Sequence, residues 1–105
     1  MSGIIMGNAA ALGVISVTLS PAQVAANTTA EQTFTVPGLQ VSDFVDVNKP
    51  SAQAGLGLAA FRVSAANTLA ITFSNNTASP ITPTASEVYS VLYVRKDATI
   101  AGVIA

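Results

Sequence analysis

The chain is 105 residues long and carries nine formal charges, four Lys or Arg and five Asp or Glu, for a net charge of −1. An ordinary soluble domain holds roughly a quarter charged residues, so too little of this surface resists association for the chain to read as an isolated monomer. His and Cys are both missing, which removes the usual general base, the commonest metal ligand, any thiolate site and any disulfide framework.

The first charge is Glu31, and Val63–Ser86 and Ala98–Ala105 are further uncharged stretches. Either a membrane or other protein must therefore cover much of the chain. A spanning helix needs about 20 apolar residues in a row, and the nearest approach, Ile4 to Leu19, is interrupted by Gly7, Asn8, Gly13, Ser16 and Thr18. It has no flanking Lys or Arg either, so neither a membrane helix nor a secretory signal is expected. A transmembrane barrel of this length would have about eight short strands, and the strands below lack aromatic girdles. Burial against protein is the expectation that remains.

Met1 to Gly13 mixes Ile4, Ile5, Met6 and Leu12 with Gly, Asn and Ala, too irregular for an amphipathic strand and too apolar for a solvated tail. It is expected to be an N-terminal arm that orders against a neighbour, which makes those four side chains candidate interface residues. Ile15–Leu19 then alternates as a strand and stops at Ser20-Pro21, and Ala22–Ala26 follows with Pro at the first helical position, predicting a helical turn. Gln32–Val36 alternates with Phe34 and Val36 inward. Phe44–Asn48 places Val45 and Val47 on one side and Asp46 on the other, ending at Lys49-Pro50. Ser51–Gly57, small and polar, is the candidate exposed functional loop. Leu58–Ser64 predicts a strand, Ala66-Asn67 a tight turn, and Leu69–Phe73 the cleanest alternation, ended by Asn75-Asn76. Val88–Arg95 is apolar on both faces, as expected of a central strand covered on both sides. Thr99–Ile104 predicts a short edge strand or tail.

These elements predict an all-β fold: one antiparallel β-sandwich domain, jelly-roll-like, over residues 14–97, with the arm at 1–13 and the tail or edge strand at 98–105. The expected core is Val17, Phe34, Val36, Val45, Val47, Leu69, Ile71, Phe73, Leu92 and Val94.

No motif predicts catalysis, a cofactor or a metal. Gly55-Leu56-Gly57-Leu58-Ala59-Ala60 fits a relaxed dinucleotide fingerprint, but it leads into a strand rather than a helix, so the glycines are expected to allow a bend or a close backbone approach. Asn27-Thr28-Thr29 and Asn75-Asn76-Thr77 match the glycosylation sequon, and turn-forming Asn explains both. Asp43 and Asp46 converge only if Asp43 lies in the turn before its strand, and a salt bridge or a solvated edge outweighs a cation site. Four scattered cations, Lys49, Arg62, Arg95 and Lys96, make no phosphate-binding surface, so no nucleic acid is expected. Arg62, alone between Phe61 and Val63, predicts either an edge guard or an intersubunit ion-pair donor, and it joins the candidate interface residues. Arg95-Lys96-Asp97 predicts a solvated strand end.

The stretch Leu19–Leu39, with Asp43-Phe44-Val45 and Val47–Pro50, then Gln53–Gly57, Arg62–Ala65, Leu69–Phe73, Asn76–Ala78, Ile81–Pro83 and Tyr89, resembles a group of small structural proteins of tailed bacteriophages, over roughly Ser16 to Arg95. The resemblance implies a virion component made in the host cytoplasm and sited on the capsid exterior. It implies a decoration or cement subunit that partners the major capsid protein and copies of itself as a homo-oligomer. It transfers no binding residues. The alternative is a receptor- or glycan-binding module of a fibre or adhesin, which requires an aromatic platform; only Phe34, Phe44, Phe61, Phe73, Tyr89 and Tyr93 are available to build one.

Overall fold

The computed structural model describes residues 9–96. They form six strands: β1 (Ala9–Leu19), β2 (Thr28–Thr35), β3 (Phe44–Asn48), β4 (Leu56–Ala65), β5 (Thr68–Asn75) and β6 (Glu87–Lys96). Two antiparallel three-stranded sheets, ordered β1-β6-β3 and β2-β5-β4, pack together as the expected β-sandwich. The pairings are nested. β1 pairs with β6 and β2 with β5, while β3 and β4 take the remaining sides of the two central strands.

The core lies between the sheets. β5 supplies Leu69, Ile71 and Phe73, β6 supplies Tyr89 and Val91, and Leu19, Val24, Val36, Leu39, Val47 and Val63 close around them. Val17, Phe34 and Val45 pack against this cluster as partly buried neighbours. Two residues of the expected core do not. Leu92 and Val94 point to the outside of their sheet, Leu92 being exposed. Directly opposed residues share a face, and Tyr89 lies opposite Val17 while Val91 lies opposite both Ile15 and Val47. That places Tyr89, Val91 and Tyr93 inside and sends Val88, Leu92 and Val94 out. Both halves of β6 are equally apolar, so its own pattern does not set its facing; its neighbours do.

β1 is longer than the alternation at Ile15–Leu19 predicts. Ala9 to Gly13 pair with β6, so the expected boundary at residue 14 falls inside a strand. Gly13 fits because the Tyr93 ring lies over it, and a Cβ there would meet the ring Cε1 and Oη at 3.0 Å.

The helical turn expected over Ala22–Ala26 does not form. Val24 instead bridges Ile81, its N–H donating to Ile81 O at 2.8 Å and its carbonyl accepting from Ile81 N at 3.0 Å. Its β-branched side chain is buried in the core, and that burial outweighs a local capping signal. Two glutamines hold the crossovers by imitating a peptide. Gln32 bonds both the N–H and the C=O of Ala22, at 2.8 and 2.9 Å, and Gln53 donates to Thr82 O and accepts from Thr84 N at 3.0 and 2.9 Å.

The Ser51–Gly57 stretch is therefore tied down rather than free. Gly55 has φ +82° and its carbonyl accepts from Asn76 N at 3.0 Å. A Cβ on Gly55 would run into the Thr77 methyl, the close approach expected of these glycines, whereas a Cβ on Gly57 would meet nothing within 4 Å. Asn75 is buried and fully bonded, donating to Val24 O and Ser79 O and accepting from Thr77 N and Oγ1. It is a turn anchor, which also explains the sequon match.

Candidate functional site: an apolar sheet face

The two outer faces of the sandwich differ in kind. On the β2-β5-β4 sheet, the cross-strand rows are Thr29–Ser74–Gly57, Glu31–Thr72–Ala60, Thr33–Ala70–Arg62 and Thr35–Thr68–Ala65. Hydroxyls dominate, and Arg62 reaches diagonally across β5 to Glu31 with two bonds of 2.8 Å. Ala70 belongs to this outer set yet has no solvent exposure, because it sits in the central strand between Arg62 and Thr33. Arg62 is thus committed within its own chain. Its bidentate bond holds the Glu31 carboxyl below the usual range.

The outer face of the β1-β6-β3 sheet is apolar. Its rows are Leu12–Val94–Phe44, Val14–Leu92–Asp46, Ser16–Ser90–Asn48 and Thr18–Val88. Leu12, Val14, Phe44, Val88 and Leu92 are 40–66% exposed. Between β3 and β6 a shallow groove is lined by Phe44, Val45, Asp46, Leu92 and Val94. An exposed apolar patch of several side chains, rimmed by polar residues, marks an interaction surface. Here Ser16, Ser90, Asn48 and Asp46 supply that rim.

Of the candidate interface residues, Leu12 lies in this patch, Arg62 lies on the opposite face, and Ile4, Ile5 and Met6 fall outside the described residues. Sequence reading alone does not find Phe44, Val14 and Leu92, because a side chain exposed on one face of a strand carries the same letter as one buried on the other.

Among the described residues, six of the chain's nine charges are spent in three ion pairs. Beside the Glu31–Arg62 pair, Asp43 sits in the turn before β3, buried, and receives Arg95 through Nε and Nη2 at 2.9 and 2.8 Å. Gln40 N adds a bond of 2.9 Å to the same carboxylate. The Arg95 hydrogen bonds hold the Asp43 carboxyl below its usual range, against the opposing pull of burial. Arg95 also donates to Gly38 O and stacks over the Tyr93 ring at 5.5 Å. It is a clamp between the β2–β3 loop and β6, not the solvated strand end expected of it. Asp46 points to the other side of the strand, so the two aspartates do not converge. The third pair, Lys49–Glu87 at 3.0 Å, is largely buried and is joined by the Ser51 hydroxyl. The Ser51 bond is the first cause of the lowered Glu87 pKa, and Lys49 adds to it.

Tyr89 has no solvent exposure, and its hydroxyl has no partner among the described residues. Burial, aided by the charge on Glu87, pushes its phenol up to about 12. Among the described residues no group of three or more acidic side chains gathers as a metal site, and no helix is long and apolar enough to cross a membrane. The chemistry this surface offers is dispersion and burial of apolar area, with one carboxylate at the rim. No family model, no curated protein and no solved structure matches the chain.

Proposed function

We propose that the chain is a non-enzymatic structural subunit that docks on neighbouring protein through the outer face of the β1-β6-β3 sheet. The neighbour we propose is a virion capsid, whose exterior the subunit decorates and cements through contacts with the major capsid protein. One observation carries the docking reading: Leu12, Val14, Phe44, Leu92 and Val94 form a contiguous apolar patch on one face, while the opposite face is hydroxylated and its ion pair is internally closed. The capsid as host of that contact rests on the sequence resemblance to phage structural proteins. The jelly-roll-like reading draws support from the nested strand order, in which β1 to β4 alternate between the sheets before β5 and β6 return beside β2 and β1. An enzyme would need a cleft with a base, and the glycan-binding alternative needs several exposed aromatics. Phe44 is the one large aromatic on the docking face.

The test replaces Phe44 or Leu92 with Lys. Both side chains are exposed, so the unfolding midpoint should stay within the small range of surface substitutions, about 0.5 kcal/mol. Co-sedimentation with assembled capsids should be lost. Full attachment of both variants would remove this face from the contact.

A further inference from the structure

A sheet protein normally blunts every strand edge it leaves open, and among the described residues this sandwich has four. β3 is five residues long, carries Asp46 and ends before Lys49-Pro50. β2 carries Glu31. β4 carries Arg62 and two register shifts, at Leu58/Ala60 and Val63/Ala65. β1 is different. Its eleven residues include no charge and no Pro, and its pairing with β6 is regular from Ala11 to Leu19. Among the described residues its other side is an edge.

We propose that the free edge of β1 is a self-association site, at which β1 of a second copy adds antiparallel about a two-fold axis. This inference deepens the docking reading by naming a partner of the same sheet. Charge argues for a second copy. A two-fold antiparallel pair sets a strand against itself, so any charge near the axis would face its own kind, and β1 is the long edge that carries none. Area argues the same way. One three-stranded face, about 14 Å by 30 Å from strand spacing and rise, is at most roughly 420 Å², half of the about 800 Å² per partner in a standard interface. Because opposed residues share a face, pairing two β1 strands joins the two outer faces, with their apolar patches, into one of roughly 840 Å².

The native chain has no Cys, so single cysteines report proximity without background. Leu12, Val14, Ser16 and Thr18 would each be changed to Cys on β1, with Phe44→Cys, Leu92→Cys and Val88→Cys as comparisons on β3 and β6. Disulfide-linked dimers should peak at one β1 position, about tenfold above the comparison sites, since only the residue nearest the axis meets its own copy within disulfide reach. Alternate β1 amides should gain exchange protection as concentration rises. Ser16→Lys should weaken the dimer about tenfold by opposing like charges. A monomer at every concentration, or a cross-link that peaks at Phe44 or Leu92, would overturn edge pairing. The two readings separate cleanly. A missing β1 cross-link with attachment still lost in Phe44→Lys leaves docking and removes self-pairing. A strong β1 cross-link with attachment unchanged in Phe44→Lys leaves self-pairing and removes docking.

Discussion

Asp43 shows how few charges organise this fold. Its carboxylate is buried and meets Arg95, 52 residues away, and the Gln40 amide. Asp43→Asn should cost about 1–3 kcal/mol, the usual price of spoiling a hydrogen bond to a buried charge. Its folded pKa lies below the unfolded value of about 3.9, so its stabilisation is fully present above that value and is lost as pH falls through the folded one. Urea titrations from pH 6 to 2 should therefore show the wild-type protein weakening in acid, with a shallower loss in the Asn variant. Tyr89 gives the opposite limb. Its folded pKa of about 12 exceeds the ordinary value near 10, so stability holds below pH 10 and falls as pH rises from there. Tyr89→Phe removes a buried hydroxyl that has no partner among the described residues. It should leave stability at pH 7 equal or higher and abolish the alkaline decline. Chemical unfolding at pH 7 and 10.5 checks both statements.

β5 is the element on which the sandwich depends, its Leu69, Ile71 and Phe73 all lacking solvent exposure. Phe73→Ala should cost about 3–5 kcal/mol, a large share of the stability of a domain this size, and an unchanged unfolding midpoint would contradict its placement. Gly55→Ala should also destabilise, because φ +82° suits Gly and the new methyl would collide with Thr77. β5 was legible from its sequence since Thr and Ala alternate with Leu, Ile and Phe. β3 and the Ala66-Asn67 turn, where Asn67 takes φ 57°, were equally plain. β6 was not, because Val88, Leu92 and Val94 match Tyr89, Val91 and Tyr93 in apolarity and only cross-strand register tells them apart. The start of β1 was hidden in Ala and Gly, residues with weak strand preference, and what admits Gly13 is a ring 80 residues further on. The apolar patch was hidden for the same reason as the facing of β6. Phe44 turns outward as the inward Val45 and Val47 require, but only the register through β6 joins it to Leu12 and Leu92.

At the scale of the whole molecule, three internal ion pairs leave little charge to act at a distance. Asp46 is the acidic side chain on the apolar face, so attachment through that face should change little between about 50 and 500 mM salt, over which screening removes exposed charge interactions. A steep loss with salt would mean that the contact is electrostatic and lies elsewhere. The nested pairing has a kinetic consequence as well. Ile15 meets Val91, roughly 75 residues later in synthesis, an interval of about 4–15 s at ordinary translation rates. β4 and β5 can close locally as a hairpin, but β1 must wait, uncharged and without its central partner, until β6 has emerged. The newborn chain therefore passes through a period in which its stickiest strand has nowhere correct to go, and soluble yield in the cell should be governed by that delay more than by the stability of the finished sandwich.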